Sequence, residues 1–251
     1  MNNIEQNRSK CWCGGNLKNS VHPLYNQCIE CETFSLKNIF VEEYLQKFYG
    51  FNEYWHKYQT EVSRHPAIEV RAKNDFRDRV PVWYNTLKRY KENIDSILEI
   101  GCAPGSFLKY CQDKGIKDIS GIEVDSLTCK FIEENFNFPE GSIIPGLFPD
   151  VKLPRRKFDA ICAFDLVEHL QSPIAAMKKI KSLLKKDGVF FFQAPCYRGE
   201  GEDWQAFRPD EHVYIYNEKN FQMLLDRAGL KTIAIFDGYF AYDMFIVGGI
   251  K

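Results

Sequence analysis

Residues 97–107 read Ile97-Leu98-Glu99-Ile100-Gly101-Cys102-Ala103-Pro104-Gly105-Ser106-Phe107, and the fold follows from them. The apolar run from Ser96 to Ile100 suits a buried parallel strand. It ends at Gly101. A tight turn framed by Gly101 and Gly105 follows, and Phe107-Leu108 open a helical pattern. Glycine has no side chain, so a turn of this kind lets a ligand approach the backbone closely. Two other nucleotide motifs fit worse. The dinucleotide fingerprint G-x-G-x-x-G needs glycine where Ala103 and Ser106 stand, and the P-loop pattern G-x-x-x-x-G-K-[ST] does not occur.

A second apolar strand runs from Lys117 to Val124. In a nucleotide fold an acidic residue about 20 positions past the glycine turn binds ribose, and Glu123 holds that place. Asp125 precedes a helical pattern (Leu127, Phe131, Ile132) and is the better N-cap. Further strands are expected at Ser142 to Ile144, Phe158 to Phe164 and Gly188 to Ala194, with a helix from about Pro173 to Lys185. Alternating strands and helices predict a parallel sheet covered on both faces.

The pattern E-x-G-x-x-x-G at Glu99, Gly101 and Gly105 resembles the first motif of class I S-adenosylmethionine-dependent methyltransferases. Phe158-Asp159 followed by Glu168-His169 is similar to a stretch of small-molecule methyltransferases such as those of ubiquinone biosynthesis. The resemblance covers about residues 95–250. It implies an α/β, Rossmann-like, doubly wound and mostly parallel seven-stranded sheet, with S-adenosylmethionine as cofactor. It also implies cofactor contacts from Glu99, Gly101, Cys102, Ala103, Gly105, Phe107, Glu123, Val124, Phe164 and Asp165, with Leu147 or Phe148 as an apolar wall at the adenine.

The 251 residues carry a formal net charge of −1. The length allows one medium α/β domain with a small appendage. The charge speaks against a large nucleic-acid footprint, and Lys152 to Lys157 reads as a solvated loop. Cys196 in Ala194-Pro195-Cys196-Tyr197 has no matching second cysteine motif, which also disfavours nucleic-acid modification. No apolar run has membrane-spanning length and no signal-peptide core precedes the domain. Nine scattered cysteines fit a reducing, cytoplasmic setting. The sequence gives no oligomeric state.

Cys11, Cys13, Cys28 and Cys31 form C-x-C and C-x-x-C pairs ahead of the main domain. They resemble the small zinc ribbon that precedes some sugar-modifying methyltransferases. Four thiolates close the tetrahedron, so such a zinc is structural. The first pair is tighter than usual, which leaves His22 as a substitute ligand. Residues 39–92 are rich in aromatics, with helix breaks near Gly50 and Pro66. In related enzymes such a segment is a lid, and Tyr54, Tyr58 and Arg71 are the contacts it implies, Arg71 pairing with the methionine carboxylate. The expected domains are therefore a zinc ribbon over 1–38, a helical lid over 39–92 and the cofactor-binding domain over 93–251.

Transfer of a methyl from a sulfonium to a hydroxyl needs in-line placement and removal of a proton. His212 lies in a loop after the fifth strand, and Glu211-His212 resembles the general-base pair of ribbon-bearing sugar methyltransferases. His212 is the expected base, oriented by Glu211. Asp165, Glu168 and His169 form D-x-x-E-H, similar to the E-x-x-E-H that ubiquinone-type O-methyltransferases link to a divalent metal. Helix capping beside the cofactor is the preferred role here. The resulting expectation is O-methylation of a small, sugar-like acceptor. A quinone-like phenol and a non-enzymatic cofactor-binding scaffold are the alternatives.

Overall fold

The run Ser96 to Ile100 does form a strand with every residue buried. The computed structural model describes residues 4–251, with side chains from residue 7 onward. Five short strands come first: β1 (Ile4–Asn7), β2 (Leu17–Asn19), β3 (Tyr25–Cys28), β4 (Phe34–Leu36) and β5 (Asn38–Phe40). Helix α1 (Glu42–Phe48), a π-helix (Phe51–Val62), α2 (Ile68–Arg77) and α3 (Arg79–Tyr90) follow, with breaks near Gly50 and Pro66. Strands and helices then alternate as β6 (Ser96–Ile100), α4 (Ser106–Asp113), β7 (Asp118–Glu123), α5 (Ser126–Phe136), β8 (Ile143–Pro145), β9 (Phe158–Phe164), α6 (Pro173–Leu183) and β10 (Leu184–Pro195). The chain continues through β11 (Tyr214–Ile215), α7 (Glu218–Ala228), β12 (Leu230–Asp237) and β13 (Asp243–Ile250).

The main sheet has seven strands in the order β12-β13-β10-β9-β6-β7-β8. Pairing is parallel between β6 and β7, β6 and β9, and β7 and β8, and antiparallel between β12 and β13. The expected α/β, mostly parallel architecture is the observed one. One boundary moves. Helix α6 stops at Leu183 rather than near Lys185, because Leu184 already begins β10, and Lys185 within that strand places its ammonium 2.8 Å from Asp159 Oδ2.

The chain divides into two compact units. One comprises Glu42–Ala163 and Leu183–Phe191. Its core is built on β6, where Ile97, Leu98 and Ile100 are buried, and on the buried face of α4 with Phe107, Leu108 and Cys111. Asp159 ties two strands together at their starts. Its Oδ2 accepts from Ser96 N, Ser96 Oγ and Asp95 N as well as from Lys185.

The other unit comprises Met1–Val41, Phe164–Ser182 and Phe192–Lys251. It holds a four-stranded antiparallel sheet in the order β11-β4-β3-β2. Tyr214 pairs with Ser35 and Ile215 with Phe34, so a strand from late in the chain completes the sheet that the cysteine segment begins. Tyr25, Phe34, Leu36, Tyr214 and Ile215 are buried in it.

Candidate functional site

In the first unit the turn after β6 is held against β7. Gly101 N donates to Ile122 O at 2.8 Å and Gly105 N to Cys102 O at 2.7 Å. Gly101 (φ 69°) and Gly105 (φ 94°) both adopt left-handed backbone, which glycine enters without steric cost. A Cβ on Gly105 would lie 2.5 Å from Ile132 Cγ2, so α4 and α5 approach too closely for any side chain there. The two expected glycines are therefore required by geometry.

Glu123 ends β7 and faces this turn. Its Oε2 accepts from Ala103 N at 3.3 Å and its Oε1 from Val124 N at 2.9 Å. Burial of the carboxyl end pushes its pKa up to about 7, against the two backbone donors that hold it down. Asp125 does cap α5, its Oδ2 accepting from Thr128 N at 2.9 Å, and it also accepts from Phe51 N at 3.3 Å.

Glu99 is 4% exposed, and burial raises its carboxyl well above the usual range. Its Oε2 has no hydrogen-bond partner among the described residues. Arg79 and Asp75, which the motif reading misses, form a two-bond fork of 2.9 and 2.8 Å, and the Arg79 charge opposes the shift on Glu99. An orphaned buried carboxylate oxygen and a carboxylate facing a glycine turn fit a ligand that brings an ammonium and a ribose. S-adenosylmethionine has both.

The remaining expected contacts are placed as follows. Cys102 is buried, and a Cβ on Gly121 would lie 2.5 Å from its Sγ. Phe107 is a core residue, 2% exposed, with its ring edge-on to Trp83. Val124 and Phe148 are half-buried. Arg71 donates to Gln59 Oε1 at 3.0 Å, lies 3.5 Å from Asp75 and covers Trp55. Tyr58 packs on Phe48 and stacks on Tyr54.

In the second unit Phe164 closes β9 and Asp165 follows with φ 53°. Gln193 donates to Asp165 Oδ1 at 2.7 Å, and Asp165 N to Gln193 O at 3.0 Å. A buried Gln on the neighbouring strand carries no recognisable spacing, so sequence reasoning does not find it.

The four ribbon cysteines converge. Cys11 and Cys31 sulfurs are 3.6 Å apart and those of Cys13 and Cys28 3.5 Å, and all four lie within 4.8 Å of one another. These separations exceed a disulfide bond of about 2.05 Å. They suit a tetrahedron with zinc–sulfur bonds of about 2.3 Å, whose edges are about 3.8 Å. Mutual hydrogen bonding splits the thiols, with Cys31 lowered to about 5 by its bond from Cys11 and Cys11 raised. His22 is elsewhere, stacked on Phe207.

The loop that carries His212 is tied to this ribbon sheet. Tyr25 Oη donates to His212 O at 2.7 Å, and Leu36 N to Val213 O at 2.8 Å. The imidazole Nδ1 lies 2.8 Å from Ala206 O. The bond makes Nδ1 the protonated nitrogen and leaves the Nε2 lone pair open. Glu211 does not take the orienting position that the sequence assigns to it. Its Oε1 lies 2.7 Å from Arg208 Nε, whereas Glu168 Oε1 is the carboxylate oxygen 3.9 Å from His212 Nε2. The backbone turns here, with Glu211 N and His212 N both donating to Arg208 O, and Glu211 folds back onto the Arg208 side chain. His169 Nε2 is 3.8 Å from the same Glu168 oxygen, and the two imidazoles meet edge-on at 4.8 Å. Burial holds His169 down at about 4 and His212 at about 3, and it raises Glu168.

Comparison with known proteins bears on the family and the fold. The family model described as "Methyltransferase domain" matches residues 54–235. Ribosomal RNA large subunit methyltransferase E of Brachyspira hyodysenteriae is 27% identical over 154 residues, 57% of this chain and 76% of that protein. Ubiquinone biosynthesis O-methyltransferase of Actinobacillus pleuropneumoniae is 27% identical over 103 residues, 38% of this chain and 44% of that protein. The matched part is thus less than half of the ubiquinone-pathway relative. An S-adenosylmethionine-dependent methyltransferase from Clostridium acetobutylicum shares the fold with TM-score 0.57 at 14% identity, over 80% of this chain and 98% of that one.

Proposed function

Since the chain belongs to the methyltransferase-domain family and is an S-adenosylmethionine-dependent methyltransferase, we propose that it methylates a hydroxyl of a small polar acceptor. A sugar or sugar nucleotide of polysaccharide or secondary-metabolite biosynthesis is the acceptor class we favour. The observation that carries this reading is the buried His212 imidazole, fixed through Nδ1 and open at Nε2, on a loop strand-paired to the cysteine ribbon.

The bound cofactor supplies a methyl already activated by a positive sulfur. Glu123 accepts the ribose hydroxyls, and Glu99 compensates the methionine ammonium. Tyr58 and Arg71 belong to the lid. His212 Nε2 removes the acceptor's proton, and Glu168 rather than Glu211 is the carboxylate that compensates the imidazolium. Cys11, Cys13, Cys28 and Cys31 hold a structural zinc. We disfavour a nucleic-acid acceptor, although matched relatives are named for ribosomal RNA and for tRNA U34. The net charge is −1, and Arg156 of the basic loop is paired with Asp118 at 2.8 Å. A quinone-like phenol is the second reading, and the match to the ubiquinone-pathway enzyme favours it.

The test is turnover on a panel of sugar nucleotides and catechols. His212→Ala should leave affinity for S-adenosylhomocysteine, the demethylated product, intact. It should lower turnover by roughly 10²–10⁴, the span of general-base catalysis. Methylation of catechols alone would overturn the sugar reading, and full activity of the variant would remove the base.

A further inference from the structure

We propose that Glu168, His169 and His212 form a second cation site, one that takes a first-row divalent transition metal and is chemically distinct from the cysteine ribbon. Glu168 Oε1 lies 3.8 Å from His169 Nε2 and 3.9 Å from His212 Nε2, and the three ligand atoms all fall within 4.8 Å of one another. The centre of a triangle bounded by those distances lies within about 2.5 Å of each corner, against about 2.0–2.2 Å for zinc bonds to nitrogen and oxygen. A contraction of a few tenths of an ångström completes the site.

Three further observations point to a ligand at this place. Glu168 Oε2 is buried, in a residue 1% exposed, and has no hydrogen-bond partner among the described residues. Such an atom in a native interior calls for a group that is not in the protein. Glu168 also lies in the field of Asp165, Asp243 and Glu211, all of which oppose its ionisation. A cation removes that repulsion. Finally, the His212 ring is held from behind by a backbone carbonyl, its Nδ1 bonding Ala206 O at 2.8 Å. Carbonyl support of this kind orients imidazoles that ligate metals.

The donor set selects the ion. Two imidazoles and one carboxylate favour zinc, manganese or ferrous iron over magnesium or calcium, and three protein ligands leave open positions. Asp165, which the D-x-x-E-H spacing would include, is engaged by Gln193 in a left-handed backbone turn. The third ligand comes instead from His212, far along the chain. In the metal-free protein His212 Nε2 is the base of the proposed function; with the cation bound the same nitrogen is a ligand, and the cation's charge takes over that part by favouring the ionised form of a nearby hydroxyl.

Cobalt(II) titration of the metal-depleted full-length protein tests the proposal without any acceptor. The ribbon, if loaded, gives intense thiolate-to-cobalt charge-transfer bands. The proposed site gives only weak ligand-field bands, and a second bound equivalent by elemental analysis. Glu168→Gln, which nearly preserves shape, and His212→Ala should each weaken the second equivalent by at least the roughly 10–100-fold that loss of an outer-shell partner costs. Both should keep the thiolate bands and S-adenosylhomocysteine binding, which reports that they fold. Absence of an equivalent without thiolate bands, or equal uptake by the variants, would overturn the cation site. That failure would leave the His212 base untouched.

Discussion

In its proposed role at the ribose, Glu123 would set the pH behaviour of cofactor binding. Its carboxyl is raised from 4.5 to about 7 by burial in the free protein, yet accepting two ribose hydroxyls requires it ionised. Binding should therefore release a proton below about pH 7, and affinity for S-adenosylhomocysteine should rise with pH and level off above that point. Calorimetry in buffers of different ionisation enthalpy reads this directly. Glu123→Ala should weaken binding by roughly 1.5–3 kcal/mol and flatten the pH profile. A change of a few tenths would pass the ribose to another carboxylate. The same raised pKa makes the ionised group a cost to folding. That cost is absent below the unfolded value, grows as pH rises above it and is complete past about pH 7. Glu123 and Asp125 can be told apart from sequence because their roles are local, one at a strand end and the other at a helix start. Glu168 could not be assigned to His212 that way. Their approach depends on how the chain returns, visible in Val213 N donating to Glu168 O at 2.8 Å.

Among the elements, β6 and β9 are joined at their starts by Asp159, whose pKa is lowered from 3.8 to about 2. Burial opposes the shift, and Lys185 with the Ser96 and Asp95 donors outweighs it. A depressed carboxylate contributes stability that is fully present above its unfolded pKa and lost as pH falls through the folded one. Asp159→Asn should cost about 1–3 kcal/mol at neutral pH. It should also flatten the loss of stability between about pH 4 and 2, as urea titrations would show. An unchanged acid limb would mean that other carboxylates dominate it. The strands are legible because apolar runs are bounded by Gly, Pro and acidic residues. The winding of Phe51–Val62 is not. Its Ser63 N bonds Tyr58 O, five residues back, and an aromatic pattern such as Tyr54, Trp55 and Tyr58 looks much the same for a π-helix as for an α-helix. Helix α7 carries a capping box, Asn217 with Asn220, in which Asn replaces the usual Glu or Gln.

For the molecule as a whole, the family and the sheet are legible from a handful of motifs, while the acceptor is not, because those motifs answer to the cofactor and the strands that carry it. Zinc gives the widest prediction. The purified protein should carry a zinc on its four cysteines, and elemental analysis that finds no metal on reactive thiols would remove the ribbon. Chelation should also speed amide exchange at Leu36, Tyr214 and Ile215, which belong to the ribbon sheet. Amides of Ser96–Ile100, in the other unit, should keep their protection. Equal exchange at both places would mean that the ribbon does not hold the loop. No helix among the described residues is long and apolar enough to cross a membrane.

The pairing of β4 with β11 has a consequence for biosynthesis. Phe34, Ser35 and Leu36 are all buried, but the strand that covers one side of them, Tyr214–Ile215, leaves the ribosome much later. Until it arrives, the nascent chain presents an apolar edge with unsatisfied backbone groups, the kind of edge that recruits strands from other chains. Arg8, whose Nε donates to Leu36 O at 3.1 Å in the folded chain, puts a charge at that edge. Slow elongation between these two strands, or a stop codon between them, would therefore show up as aggregation rather than as a folded, inactive fragment.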